Sequence, residues 1–396
     1  MGFVEVMKKS RIEKPVGYSK SSVSDIAARY IDDDAGDNEV TPNIIVIMNE
    51  SFADLSDLGN MEAYSTDDSL PYLHSLEDDG RRVAVGRTLV STFGGDTAKS
   101  EYEFLTGNTM ALTPNSNPYM TDINSDISSL ATVLEEQGYH TYATHPCAAT
   151  NWRRNKVYGF MGFDEMTFED SYIDAERIRE WVADTEVYDK INEVLCTKDK
   201  GAPIFVFGVT VQNHGGYQPG ELGDDELGVY LALASESDAA IERMIGYVND
   251  YDEPTVMLFF GDHYPRLSDE TFISITDTDL FAGETELEQT KNMTPYLVYA
   301  NYDIDMSVFS SVTSLNYLGA DLLRACGLKT NAYQNYLYDM QKTIPAMNAF
   351  GYVDTQNTYK KYDELNEAES DVLHDYYILD YDSIYGGASR TLFELH

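Results

Sequence analysis

Three apolar runs in this chain end on residues that a strand interior does not favour. The run TVMLFF stops at Gly261, Asp262 and His263; NIIVIM leads through Asn49 to Glu50; PIFVFGVTV passes Gln212 and Asn213 to reach His214. Ordinary loop ends would draw a mixture of Gly, Ser and Asn rather than carboxylates and imidazoles each time. Glu50, Asp262 and His263 together offer two carboxylates and an imidazole nitrogen, a set that suits Mn²⁺ or Zn²⁺ better than Ca²⁺. Taken alone, TVMLFFGDHYPR is explained equally well by a turn with an N-cap Asp and a satisfied histidine.

A fourth ligand is available in STFGGDTAKSEYEFLTG, where Gly94, Gly95 and Asp96 form a loop leading into a helix that begins at Thr97. A hydroxyl there lies in the positive field of the helix amino end, and metal coordination lowers its pKa further, so Thr97 is a candidate ligand and nucleophile at once. On this stretch alone the simpler expectation is that Asp96 or Thr97 only caps the helix. Further along, NWRRNK sets Trp152 beside Arg153 and Arg154, close after His145. A planar guanidinium suits bidentate phosphate binding, and a cationic cluster is conspicuous in an acidic chain. GRRVAVGR, residues 80–87, reads instead as a surface loop paired with nearby acids. His74, His140, His374 and His396 have no such company and read as solvated or structural.

These residues need a scaffold that brings strand ends together. Apolar runs at NIIVIM, HTYATH, PIFVFGVTV, TVMLFF and PYLVYA alternate with helical patterns at TAKSEYEFLTG, DISSLATVLEEQG, LALASESDAAIERMIGYVND and SLNYLGADLLRAC. That alternation predicts an α/β fold with a mostly parallel sheet covered on both faces, and in such sheets ligands collect at the carboxyl ends of the strands. Residues 1–40 are polar, with one short helix in SVSDIAARYI, and read as a linker or strap. The segment after about Lys329 is rich in Tyr and Asn and predicts a helix and a hairpin outside the main sheet. The expected division is thus 1–40 linker, 41–330 catalytic domain and 331–396 small C-terminal subdomain.

The 396 residues, 43% hydrophobic and 24% charged, are enough for one large core with a smaller appendage. The net charge of −41 repels phosphate backbones and bare anionic membranes, which excludes nucleic acid as a partner and requires local cations or a metal to draw in an anionic substrate. Cys147, Cys196 and Cys326 share no metal-ligand spacing, and their odd number leaves at least one thiol unpaired. There is no apolar core for a signal peptide and no bilayer-length apolar run, so the chain as given is expected to be soluble; a trimmed ectodomain of a membrane-anchored protein would look the same.

The ordered set NIIVIMNESF, TFGGDTAKSEYEFLTG, HPCAATNWRRNKVYGFMGFD, TVQNHGGY and GDHYPR resembles the lipoteichoic acid synthase family across roughly residues 20–330. These are phosphoglycerol transferases on the alkaline phosphatase and sulfatase α/β/α sandwich. The resemblance implies one Mn²⁺, with Mg²⁺ or Zn²⁺ as substitutes, on Glu50, Thr97, Asp262 and His263, with Thr97 as nucleophile. It implies that His145, Trp152, Arg154 and His214 hold the glycerol phosphate, His214 also serving in catalysis; Arg154 is preferred to Arg153 from its place in the motif. The implied donor is a phosphatidylglycerol-like lipid, and the implied acceptor a glycerol phosphate polymer, a glycolipid or a glycan. The implied site of action is the extracytoplasmic face of a bacterial cell membrane, although the transmembrane helices usual in the family are missing here. Two competing readings keep the fold: a phosphodiesterase or phosphatase that ends in water, and a non-catalytic binding domain. Sulfate ester hydrolysis is disfavoured, because the nucleophile position reads DTAKS rather than Cys/Ser-x-Pro-x-Arg.

Overall fold

The computed structural model describes residues 13–31, 40–59, 61, 67–220, 222–276, 279–280, 285–386 and 390–395. Parts of the expected N-terminal strap, residues 1–12 and 32–39, and His396 lie outside the described residues.

The strands in chain order are β1 (Asn43–Asn49), β2 (Val83–Leu89), β3 (His140–Thr144), β4 (Glu165–Thr167), β5 (Arg177–Ile178), β6 (Trp181–Val182), β7 (Ile204–Val209), β8 (Thr255–Gly261), β9 (Met293–Ala300), β10 (Val312–Ser314), β11 (Ala346–Met347), β12 (Tyr352–Val353) and β13 (Tyr359–Lys360). Eight form one sheet in the order β10-β2-β9-β8-β1-β7-β3-β4. Only β9 opposes its neighbours; β1 runs parallel to both β7 and β8.

The continuous apolar runs follow from burial on both faces. Along β1, Ile44, Val46 and Met48 join Phe207, Leu258 and Phe260 in one core, while Ile45 and Ile47 join Val206, Met257 and Phe259 in the other. Alternate side chains point to opposite faces, so neither face can be polar. Helices Thr97–Thr106, Leu130–Glu135 and Leu315–Ala325 contribute to the first core, and Asp184–Thr197 and Glu226–Asp250 to the second. The sandwich is therefore α/β/α, as expected.

One expectation fails. GRRVAVGR is not a surface loop: Val83–Leu89 is β2, antiparallel to β9 inside the central sheet. Its polar residues misled because this strand is only partly buried, and Gly86 is required by the ring of Tyr296, which lies 2.6 Å from where a Cβ would stand. The arginines preceding it do meet an acid, Arg81 and Arg82 both reaching Asp303.

Beyond residue 330 lie helix Ala332–Met340, the antiparallel β11-β12-β13 sheet and helix Glu367–Tyr385. A third core joins Tyr333, Tyr336, Tyr376 and Leu379 of this segment to Val23, Ile26 and Ala27 of helix Lys20–Ala27. No helix among the described residues is long and apolar enough to cross a membrane.

Candidate metal centre and substrate cavity

The parallel register of β1 and β8 sets Asn49 opposite Gly261, so Glu50 and Asp262 emerge side by side at the carboxyl edge. Gly261 is there because nothing else fits: a Cβ would stand 1.8 Å from the carbonyl oxygen of Phe52 as the chain turns off β1. That turn passes through Ser51, at φ 51°, whose N–H donates to Asp262 Oδ1 at 2.7 Å and whose Oγ donates to Glu50 Oε1 at 2.9 Å. The Thr97 helix is tied to the same point, Ser100 Oγ donating to the Asp262 carbonyl oxygen at 2.8 Å.

The expected cap at this helix is not made. Asp96 occupies the N-cap position at φ 65° without a side-chain cap bond, and its carboxylate pairs with Lys99 at 2.8 Å. A left-handed backbone at the N-cap is uncommon for a non-glycine residue and costs about 1–3 kcal/mol. Thr97 itself is buried, and its Oγ1 lies 3.4 Å from Glu50 Oε2.

Glu50, Asp262 and His263 can each turn one ligand atom into a cluster spanning no more than 4.8 Å. The carbonyl of Tyr264 accepts from His263 Nδ1 at 2.9 Å, which leaves Nε2 as the free lone pair in the neutral ring. That Nε2 faces Asp262 Oδ2 at 3.2 Å and Glu50 Oε1 at 3.7 Å. Both His263 Nε2 and Asp262 Oδ2 are buried and make no hydrogen bond among the described residues. Two orphaned buried ligand atoms aimed at one point, with a carboxylate and a hydroxyl beside them, fit a divalent cation. Burial, reinforced by Glu50, pushes the Asp262 carboxyl up to about 7 against the pull of His263. Burial alone would lower His263, but Asp262 and Glu50 raise it. Two carboxylates crowded out of solvent beside an imidazole make a negative pocket that a divalent ion would neutralise.

The cluster opens into a cavity of about 560 Å³, whose wall includes Glu50, Thr97, His145, Trp152, Arg154, His214 and His263. Asp262 is fully buried beneath it. His145 Nδ1 donates to the Val209 carbonyl at 3.1 Å; burial and then the Arg154 charge hold its pKa well below the ordinary value, so the ring is neutral. Trp152 and Arg153 are consecutive left-handed residues, φ 52° and 57°, in the turn before helix Arg154–Phe160. The two arginines then part. Arg153 donates to the carbonyls of Tyr119 and Met120. Arg154 is buried, with Nε and Nη2 at 3.0 and 2.5 Å from Glu101 Oε1, one turn along the Thr97 helix. Tyr158 donates to the other Glu101 oxygen at 2.8 Å. His214 stands exposed at the rim, its ring 4.5 Å from that of Trp181.

The cavity wall also includes Ser51, Trp181 and Arg266, to which sequence reasoning gave no role. Arg266 closes the GDHYPR motif, and Trp181 is one of only two tryptophans in the chain, a compositional signal that was there to be read. The other histidines sit elsewhere: His74 bridges Asp54 and Asp68, and His140 lies near Asp164 and Glu165.

A mostly parallel sheet flanked by helices is also the fold of a Vibrio parahaemolyticus protein in the alkaline phosphatase superfamily, which superposes at TM-score 0.66 and 16% identity, covering 95% of this chain and 99% of that one. The chain belongs to the Sulfatase family, whose model matches residues 42–328. It is similar to the Streptococcus pyogenes phosphoglycerol transferase GacH, solved with sn-glycerol-1-phosphate, at TM-score 0.77 and 20% identity, covering 97% of this chain and 100% of that one. The lipoteichoic acid synthase LtaP of Listeria monocytogenes superposes at TM-score 0.64 and 18% identity, covering 93% and 98%. In sequence it is 27% identical over 369 residues to a putative cyclic beta-1,2-glucan modification protein of Rhizobium meliloti, covering 87% of this chain and 55% of that protein. The chain thus spans about half the length of that curated relative.

Proposed function

We propose that this chain is a metal-dependent phosphoglycerol transferase that cleaves a phosphatidylglycerol-type phosphodiester through a phospho-threonine and passes glycerol phosphate to an acceptor hydroxyl. The observation that carries the reading is the convergence of Glu50, Asp262, His263 and Thr97 on one point in the wall of a cavity shared with Arg154 and two imidazoles. GacH is named a phosphoglycerol transferase and was solved with sn-glycerol-1-phosphate, which supports the transferred group, while the names of LtaP, a lipoteichoic acid synthase, and of the glucan-modifying relative support an envelope polymer or glycan as acceptor.

Glu50, Asp262, His263 and Thr97 would hold the cation, Mn²⁺ first and Mg²⁺ or Zn²⁺ as alternatives, which when bound supplies positive charge that favours the Thr97 alkoxide. Thr97 Oγ then bonds to phosphorus while the bond from phosphorus to the lipid oxygen breaks. His214 gives a proton to the departing alcohol. Arg154 holds a phosphoryl oxygen, the free Nε2 of His145 accepts from a glycerol hydroxyl, and Trp152 covers the glycerol. The acceptor hydroxyl next attacks phosphorus, its proton returns to His214, and the bond to Thr97 Oγ breaks, restoring the starting state. The acceptor is a glycan, glycolipid or glycerol phosphate polymer, and the site of action the extracytoplasmic face of a bacterial membrane. Residues 41–330 carry the catalysis in this reading, with 331–396 a small subdomain.

The test incubates the purified chain with Mn²⁺ and phosphatidylglycerol, with and without a glycan acceptor. Diacylglycerol together with a glycerophosphorylated glycan supports the transferase. Diacylglycerol with free glycerol phosphate in both arms makes the chain a phosphodiesterase, and no turnover with any divalent metal makes it a binding domain.

A further inference from the structure

The β5-β6 hairpin is built into the cavity wall for no reason the chemistry above supplies. Between Ile178 and Trp181, Arg179 adopts φ 56° and donates to three carbonyls of one loop: His214 at 2.8 Å, Gln212 at 3.0 Å and Gly216 at 3.2 Å. Spending an arginine on main-chain oxygens fixes the hairpin to the His214 loop, so that Trp181 and His214 form one unit, their ring centres 4.5 Å apart and tilted by 44°. Trp181 is only partly buried, and its Nε1 makes no hydrogen bond among the described residues. That Nε1 is itself buried, so the part of the indole that meets the cavity is its apolar ring. Trp152 and Trp181, the chain's only tryptophans, both line this cavity.

We propose that Trp181 is the acceptor subsite and takes a neutral saccharide, a pyranose lying with its C–H face on the indole and a hydroxyl directed to His214. The proposal rests on the transferase reading and names its acceptor. Charge decides between the candidates: at a net −41, the chain repels a long polyanion such as a glycerol phosphate polymer, whereas a neutral sugar meets no such field. Chemistry points the same way, because a flat apolar ring beside an imidazole matches the two-sided character of a pyranose, apolar on one face and ringed by hydroxyls.

Because the chain has two tryptophans, fluorescence reads the subsite directly. In Trp152→Phe, Trp181 is the sole indole, and a β-linked gluco-oligosaccharide should change its emission saturably, with glycerol at matched hydroxyl concentration as the control. Trp181→Phe should lose that response, and Trp181→Ala should raise the KM for the saccharide acceptor tenfold or more. An unchanged emission in Trp152→Phe, or an equal response to glycerol, overturns the subsite. If the native chain still releases diacylglycerol from phosphatidylglycerol, only the subsite falls; if it does not, the transferase reading falls with it.

Discussion

Arg154 is the residue on which binding and folding are most easily confused, and the structure separates them. Its guanidinium and the Glu101 carboxylate are 2% and 0% exposed and 2.5 Å apart, with Tyr158 completing the group. Arg154→Met therefore strands a buried carboxylate, which costs about 3–5 kcal/mol of stability. Adding Glu101→Gln removes the stranded charge while keeping an acceptor for Tyr158, so the double variant should recover most of that loss in urea unfolding. Activity should not recover. If Arg154 holds a phosphoryl oxygen, both variants lose a charge-assisted contact in a desolvated pocket, and kcat/KM falls roughly a hundredfold or more. Arg82→Ala is the control: its pair with Asp303 is half exposed, 51% and 52%, and solvent screens such a pair, so stability and kcat/KM should both stay near native. A stable double variant with native kcat/KM would refute the phosphate role and leave Arg154 as a structural partner of Glu101.

Gly261→Ala should fail to accumulate as folded protein, since its Cβ falls 1.8 Å from the Phe52 carbonyl oxygen and 3.2 Å from the Thr294 Cβ; native expression and melting would mean the β1 turn yields easily. Asp380, whose Oδ2 accepts from the Thr109 N–H at 2.9 Å, is pushed by burial from 3.8 to about 8. A carboxyl raised in the folded state contributes stability below its unfolded pKa and loses it as pH climbs through the folded value, so unfolding free energy should fall between about pH 4 and about pH 8. Asp380→Asn should flatten that slope in urea titrations without abolishing it, because Glu103 and Asp321 are likewise raised to about 7; an unaltered slope would show that Asp380 is not the group responsible. Asp262→Asn should bind Mn²⁺ at least tenfold more weakly than the native chain by calorimetry, and equal affinity would remove Asp262 from the ligand set.

The strand ends were legible because β1, β7 and β8 are buried on both faces, so their apolar runs are continuous and the polar residues after them stand out. The α/β/α architecture followed from the same runs. β2 was not legible, since a partly buried strand carrying Gly86, Arg87 and Thr88 has the composition of a loop. β5 and β6, two residues each, have no periodicity to detect, which hid Trp181 and Arg179 from the site. The cap at Asp96 was misread because its chemistry matches a cap, and only the left-handed backbone and the bond to Lys99 show otherwise.

The central claim is that Thr97 Oγ is the nucleophile, and a covalent adduct tests it most directly. The native chain, loaded with Mn²⁺ and mixed with phosphatidylglycerol in the absence of acceptor, is quenched rapidly, digested and examined by peptide mass analysis. The account predicts glycerophosphate on the peptide containing Thr97, absent from Thr97→Ala, which should remain folded and release no diacylglycerol. Glycerophosphate on a different peptide, or full turnover in Thr97→Ala, would contradict it.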